Sequence, residues 1–175
     1  LTDPVYIPRE NFTWYDKLWL RIMNDKRDLP FIYLLTIIHL SVIPVAIILF
    51  TPLLQGWWWW LVAIPYFYIS QLYFKGRFGL MFHCICHRKC FKKPYHWIHG
   101  YITWVVCPLF GHAPEGYFSH HMGMHHIENN MEDDTSSTMA YQRDSAKDFL
   151  AYFFKFLYKK KKNTILYLYY RKRKK

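Results

Sequence analysis

LPFIYLLTIIHLSVIPVAIILFTPLLQGWWWWLVAIPYFYISQLYF, residues 29–74, contains no Asp, Glu, Lys or Arg. A run of 46 uncharged residues is far more than the core helix of a water-soluble domain needs. A bilayer crossing takes about 20 apolar residues at roughly 1.5 Å of rise each, so this stretch is long enough for two crossings and a tight turn. The predicted spans are 31–54 and 57–74. Thr51, Pro52, Gln55 and Gly56 supply turn chemistry between them. Trp57 to Trp60 then fall where an interfacial aromatic belt is expected. Pro44 lacks an amide donor and should kink the first span, while His39 is a lone polar residue suited to a helix-to-helix hydrogen bond. The fold class that follows is all-α: a polytopic membrane protein with a transmembrane helical hairpin and interfacial helices.

Charges on either side of this stretch set its orientation. Arg21, Lys26 and Arg27 precede it, Lys75 and Arg77 follow it, and the turn between the spans has none. By the positive-inside tendency both outer ends of the hairpin face the cytoplasm, so residues 82–130 emerge there. Residues 1–28 mix aromatic and charged side chains in a pattern suited to skimming a membrane surface. Tyr95 to Phe110 is uncharged but short for a crossing and holds His96, His99, Gly100 and Pro108, so it reads as an interfacial or half-inserted helix. Residues 149–175 form a basic segment whose two short apolar pieces are stopped by lysines and by R-K-R-K-K. The chain as a whole, 1–175, reads as a single membrane domain.

Net charge of +11 and an aromatic share of 21% fit a protein that meets lipid headgroups or an acidic partner. A nucleic-acid partner is excluded, because it would require the uncharged stretch to be water-soluble. Cys84, Cys86, Cys90 and Cys107 lack the spacing of a secreted disulfide framework and read as thiols on the reducing side. A zinc site built on them is disfavoured, since Cys84 and Cys86 would project about 200° apart on a helix and no second C-x-x-C exists.

Nine of the ten histidines lie between Phe82 and Asn130. Two groups stand out, H83-C-I-C-H87 and H121-M-G-M-H125-H126. Residues four apart share a helix face, so His83 and His87 can aim at one point, as can His121 and His125. On an α-helix His126 would stand about 100° round from His125, placed to bridge or to reach a second metal. Five imidazoles without carboxylates suit iron, zinc or copper, and five exceed what one tetrahedral zinc takes. His120, His96, His99 and His112 are weaker ligand candidates. Asn129 and Asn130 are candidates for orienting a ligand or for capping a loop. Glu115, Glu128 and the Glu132 to Asp134 cluster read as solvated loop charge. Lys75, Arg77, Arg88, Lys89, Lys92 and Lys93 make a positive collar around the first group, for anchoring or for docking an acidic electron carrier or anionic headgroup.

The two groups resemble those of the membrane-bound fatty acid desaturases and their hydroxylase relatives. H83-C-I-C-H87-R88 is similar to that family's first histidine box, H-x(3,4)-H, following a second membrane span. H121-M-G-M-H125-H126 is similar to its second box, H-x(2,3)-H-H, in the longer spacing. The resemblance covers roughly residues 31–134. It implies that His83, His87, His121, His125 and His126 are ligands of two iron ions on the cytoplasmic side, with no catalytic residue separate from them. It further implies O₂-dependent desaturation of a lipid acyl chain, or hydroxylation by the same centre. The electron donor would be a cytochrome b5-like or ferredoxin-like protein, and further membrane subunits are possible partners. The family's third box, [H/Q]-x-x-H-H, has no counterpart after His126, so the expectation is a portion of a longer protein. The other reading is a short form acting as a non-catalytic accessory or assembly subunit.

Overall fold

A computed structural model describes residues 9–114, 116–132, 134 and 136–158. Residues 159–175 of the expected basic segment 149–175, together with Glu115 and Asp133, lie outside the described residues. Among the described residues the chain is helical, with one isolated bridge, Met23 to Phe91, and no strand. It divides into two compact units, Leu1–Phe110 and Gly111–Lys175.

In the first unit α1 (Trp14–Leu20) begins at a capping box. Thr13 Oγ1 accepts from the Asp16 amide at 3.2 Å, and the Thr13 amide donates to Asp16 Oδ2 at 2.8 Å. Asp16 is fully buried and also accepts the Tyr33 hydroxyl, and Tyr15 bonds Thr36, so α1 is fastened to the start of α2. Residues Trp14–Leu20 of the segment expected to skim a membrane surface are thus docked on α2 through Tyr15 and Asp16.

Helix α2 (Leu29–Leu49) carries Pro30 in its first turn, where a missing amide costs nothing, and Pro44 inside it without being ended there. Its buried residues, Leu29, Ile32, Leu35, Ile38, Val42, Ala46 and Leu49, recur every three or four positions and form one stripe. The opposite face is apolar too, with Ile37, Leu40, Ile47 and Ile48 exposed. Lys26–Leu49 is long and apolar enough to cross a membrane by length and composition, and among the described residues it is the one such helix.

Thr51 to Gln55 make the expected turn, and α3 (Gly56–Tyr68) starts at Gly56 in the left-handed region, φ 58°. Trp59 Nε1 donates to the Leu49 carbonyl at 2.9 Å and ties the two helices at the turn. No residue of α3 is buried, and Trp57, Trp58, Ile64, Phe67 and Tyr68 all stand exposed. Helical winding continues through a π segment, Ile69–Phe74, into α4 (Lys75–His87). Gly76 and Gly79 do not interrupt it, as the expected persistence of helix beyond Phe74 requires.

The core of this unit is where α4 meets the chain before Phe110. Phe78 stacks on Phe110 at 4.5 Å between ring centroids and on Phe82 at 5.8 Å. Ile102, Val106 and Cys107 are fully buried. The helix expected over Tyr95–Phe110 forms as one winding of changing pitch, α5 (Trp97–Tyr101), a π turn at Ile102–Val106 and a 3₁₀ turn at Cys107–Phe110, after a 3₁₀ turn at Lys93–Tyr95. Gly100 lies inside α5 without ending it, and Pro108 falls in the closing 3₁₀ turn. His39 fulfils its expected helix-to-helix role, since its Nδ1–H donates to the Leu35 carbonyl and its Nε2 accepts the Tyr101 hydroxyl, each at 2.6 Å.

The second unit holds α6 (Gly116–His120), a π turn at His121–His125, α7 (His126–Glu128), a polar loop and α8 (residues 146–158). Asn129 and Asn130 end α7 with φ of 49° and 60°, a conformation that asparagine tolerates better than most residues. Gly111, at φ 74°, opens the unit.

Candidate metal centre

His83 and His87 occupy the last turns of α4 on one face, with ring centroids 4.7 Å apart. His83 is half-buried and His87 exposed. The chain leaving this pair is held by the segment after α1. The Asn24 amide donates to the Cys90 carbonyl at 2.9 Å, and the Lys92 amide to the Ile22 carbonyl at 2.8 Å. Asn24 Nδ2 also donates to the Lys89 and Phe91 carbonyls at 2.8 and 2.9 Å.

Arg88, next to His87, is not part of an open collar. Its guanidinium pairs with Asp25 at 3.1 Å and with the buried Asp28, anchoring the end of α4 to the start of α2. Lys92 likewise donates to the Arg21 carbonyl. His99 sits beneath this exit, 7% exposed. Its Nε2 accepts from the Cys90 and Phe91 amides at 3.2 and 3.5 Å, and its Nδ1–H faces the His96 carbonyl at 3.3 Å. Burial, then the charge of Lys89, pushes its imidazolium down to about 4. His99 is thus a neutral structural acceptor, which leaves no lone pair for the ligand role considered for it. Cys90 is packed in the same region, and burial, then Asp28, raises its thiol to about 12. None of the four cysteines forms a disulfide.

The second group departs from the expected geometry. Residues 121–125 wind as a π turn, with the His126 amide reaching the His121 carbonyl five residues back. This wider winding brings residues five apart together. His126 Nε2 lies 3.1 Å from His121 Nε2, instead of His126 standing off to one side. The ring centroids of His125 and His121 are 5.7 Å apart, as are those of His125 and His126. Nitrogens bound about 2.1 Å from one metal stand roughly 3.0 to 3.4 Å apart in octahedral or tetrahedral geometry, so the His121–His126 pair is spaced as two ligands of one ion require.

His125 has a partner that sequence reading missed. Its Nδ1 lies 2.5 Å from Asp134 Oδ2 and 3.2 Å from Ser136 Oγ. Asp134 is 3% exposed, not the solvated loop charge expected of it. Burial alone would raise its carboxyl, but hydrogen bonds from the Ser136 hydroxyl and amide and from His125 outweigh that and hold it below the usual carboxylate range. The nine-residue separation from His125 and the neighbouring acids gave no sequence signal for this pairing.

The remaining candidates take other places. His112 packs edge-on to Tyr117 at 5.5 Å, whose ring in turn stacks on His121 at 5.4 Å. His120 lies against Phe156 of α8 at 6.3 Å. Asn130 caps the loop, its side chain accepting from the Thr138 amide and its carbonyl from the Ser137 hydroxyl. His83 and His87 in the first unit, and His121 in the second, each offer a ring nitrogen of the kind that can hold a metal ion. No family model, curated protein or solved structure matches the chain.

Proposed function

We propose that the chain belongs to a polytopic membrane oxidoreductase in which His83, His87, His121, His125 and His126 hold two iron ions for O₂-dependent desaturation of a lipid acyl chain. The observation that carries this reading is the approach of His121 Nε2 to His126 Nε2, a spacing suited to ligands of one ion, in a chain with a second histidine pair on α4. A donor set of imidazoles fits ferrous iron, and the number of rings exceeds what a single tetrahedral ion takes. Iron with O₂ would supply the one-electron oxidising power that an unactivated methylene demands. The chain's own part is to present ring nitrogens and to hold them in place, through Arg88 and Asn24 behind the first pair and through Asp134 behind His125.

The membrane reading draws on surface composition. Helix α2 buries only one stripe of an all-round apolar surface, and α3 buries no residue at all. In water such contiguous apolar surface is a liability, whereas lipid accepts it. The hairpin of spans over 31–54 and 57–74, with the histidine region on the cytoplasmic side, is the topology that the flanking charges favour.

Metal analysis of the chain purified in detergent under anaerobic conditions tests the reading, with about two irons per chain as the expected result. His121→Ala should lower that content to one or none, and unchanged stoichiometry would refute the ligand assignment. Lipid analysis after adding ferrous iron, a reductant and O₂ separates the chemistries: a new double bond supports desaturation and a new hydroxyl supports the hydroxylase alternative. A chain that binds no metal would instead favour the accessory-subunit role.

A further inference from the structure

We propose that Asp134 is a positioning residue that fixes His125 as its Nδ1–H tautomer and turns Nε2 toward the metal, with Ser136 clamping the carboxylate. This deepens the metal-centre reading and rests on it for the role of Nε2, while the tautomer itself stands on geometry within residues 121–136.

The hydrogen-bond roles at this site can be assigned one after another. Both oxygens of Asp134 are acceptors. Oδ1 takes the Ser136 amide at 2.8 Å and the Ser136 hydroxyl at 2.7 Å. With that hydroxyl proton committed to Oδ1, Ser136 Oγ can only accept from the imidazole 3.2 Å away. Oδ2 can only accept as well, and it lies 2.5 Å from the same ring nitrogen. Two acceptors converge on Nδ1, so Nδ1 carries the proton and Nε2 keeps its lone pair. His121 and His126 meet through their Nε2 atoms, so His125 offers the same type of nitrogen as its neighbours.

The carboxylate is held as firmly as the ring. Its own amide donates to the Met131 carbonyl at 3.1 Å, and the Ser137 amide donates to its carbonyl at 3.0 Å. Burial of the side chain keeps water from replacing either partner. A carboxylate behind a ligating imidazole fixes ring orientation and raises nitrogen basicity, and losing such a partner typically costs about 10- to 100-fold in metal affinity.

The experiment uses the full chain in detergent micelles with nitrogen-15-labelled histidine, first without metal and then with ferrous iron or cobalt(II). Before metal is added, the His125 resonances, assigned by their loss in His125→Gln, should show a protonated Nδ1 and an unprotonated Nε2. In Asp134→Asn the side-chain amide can donate to Nδ1, so the tautomer should reverse and cobalt affinity should fall about 10- to 100-fold. Asp134→Glu should keep the Nδ1–H form and recover part of the affinity. Ser136→Ala, a milder change that covers the case of a misfolded Asp134 variant, should broaden the ring's orientation and weaken binding by a smaller factor.

A wild-type His125 protonated at Nε2 would overturn the proposal. So would a folded Asp134→Asn chain that keeps the Nδ1–H form or binds cobalt as tightly as wild type. If wild type takes up neither metal, the metal-centre reading falls and the positioning role falls with it, while the metal-free spectra still decide the tautomer separately.

Discussion

Acid should loosen the first unit through a single imidazole, His99, because its folded state requires the neutral form. Nε2 is the acceptor for the Cys90 and Phe91 amides, and a proton there would set N–H against N–H. The imidazolium is pushed down from 6.5 to about 4 by burial and by Lys89, so between those values the unfolded chain binds a proton that the folded chain refuses. The stabilisation is therefore complete above pH 6.5 and declines as pH falls toward 4. Each tenfold loss of proton affinity on folding corresponds to about 1.4 kcal/mol, so the full effect is about 3 kcal/mol, or roughly 6 to 12 °C in Tm for a chain of this size. His99→Leu removes the titrating group and leaves the two amides without an acceptor, costing about 1 to 3 kcal/mol at neutral pH. Thermal unfolding in detergent at pH 7.5 and pH 4.5 tests both effects. Wild type should lose markedly more Tm on acidification than the variant, so that the two converge at low pH. Equal acid-induced losses in the two proteins would refute the reasoning, since the remaining histidines are common to both.

Two further substitutions test contacts that hold the first histidine pair and the helices beneath it. Arg88→Met leaves the buried Asp28 carboxylate without its guanidinium, and because Arg88 is itself partly exposed the loss should be about 2 kcal/mol, seen as a lower Tm and faster proteolysis after α4. Tyr101→Phe removes the donor to His39 Nε2 and should cost about 1 to 2 kcal/mol, whereas His39→Phe combined with it should recover part of that loss in a double-mutant thermal cycle.

Much of the helical plan could be read locally. The uncharged run, the turn before Gly56, the continuation of helix past Phe74 and the bond-forming role of His39 depend on composition and short-range spacing, which act on each segment whatever else is nearby. The approach of His83 to His87 was legible for the same reason, since i,i+4 spacing places rings on one face of any helix. Regular α geometry, however, put His126 about 100° away from the position it takes. The π turn that carries it to His121 is one extra residue in the backbone winding, and residue types do not announce such a choice.

What the sequence determined by itself is the inventory: helices apolar all round, imidazoles in two groups, and excess basic charge. Tertiary structure alone decided which polar groups serve those imidazoles. Asp134 and the acids around it look alike along the chain, yet Asp134 is buried against His125, in the loop that turns back at Asn129 and Asn130. Arg88 likewise reads as one more surface charge until the distant Asp25 and Asp28 are folded against it. Side-chain charge and helix periodicity are properties of a residue and its near neighbours, whereas burial and hydrogen-bond partnership are properties of a place, and a place exists only once the chain has closed around it.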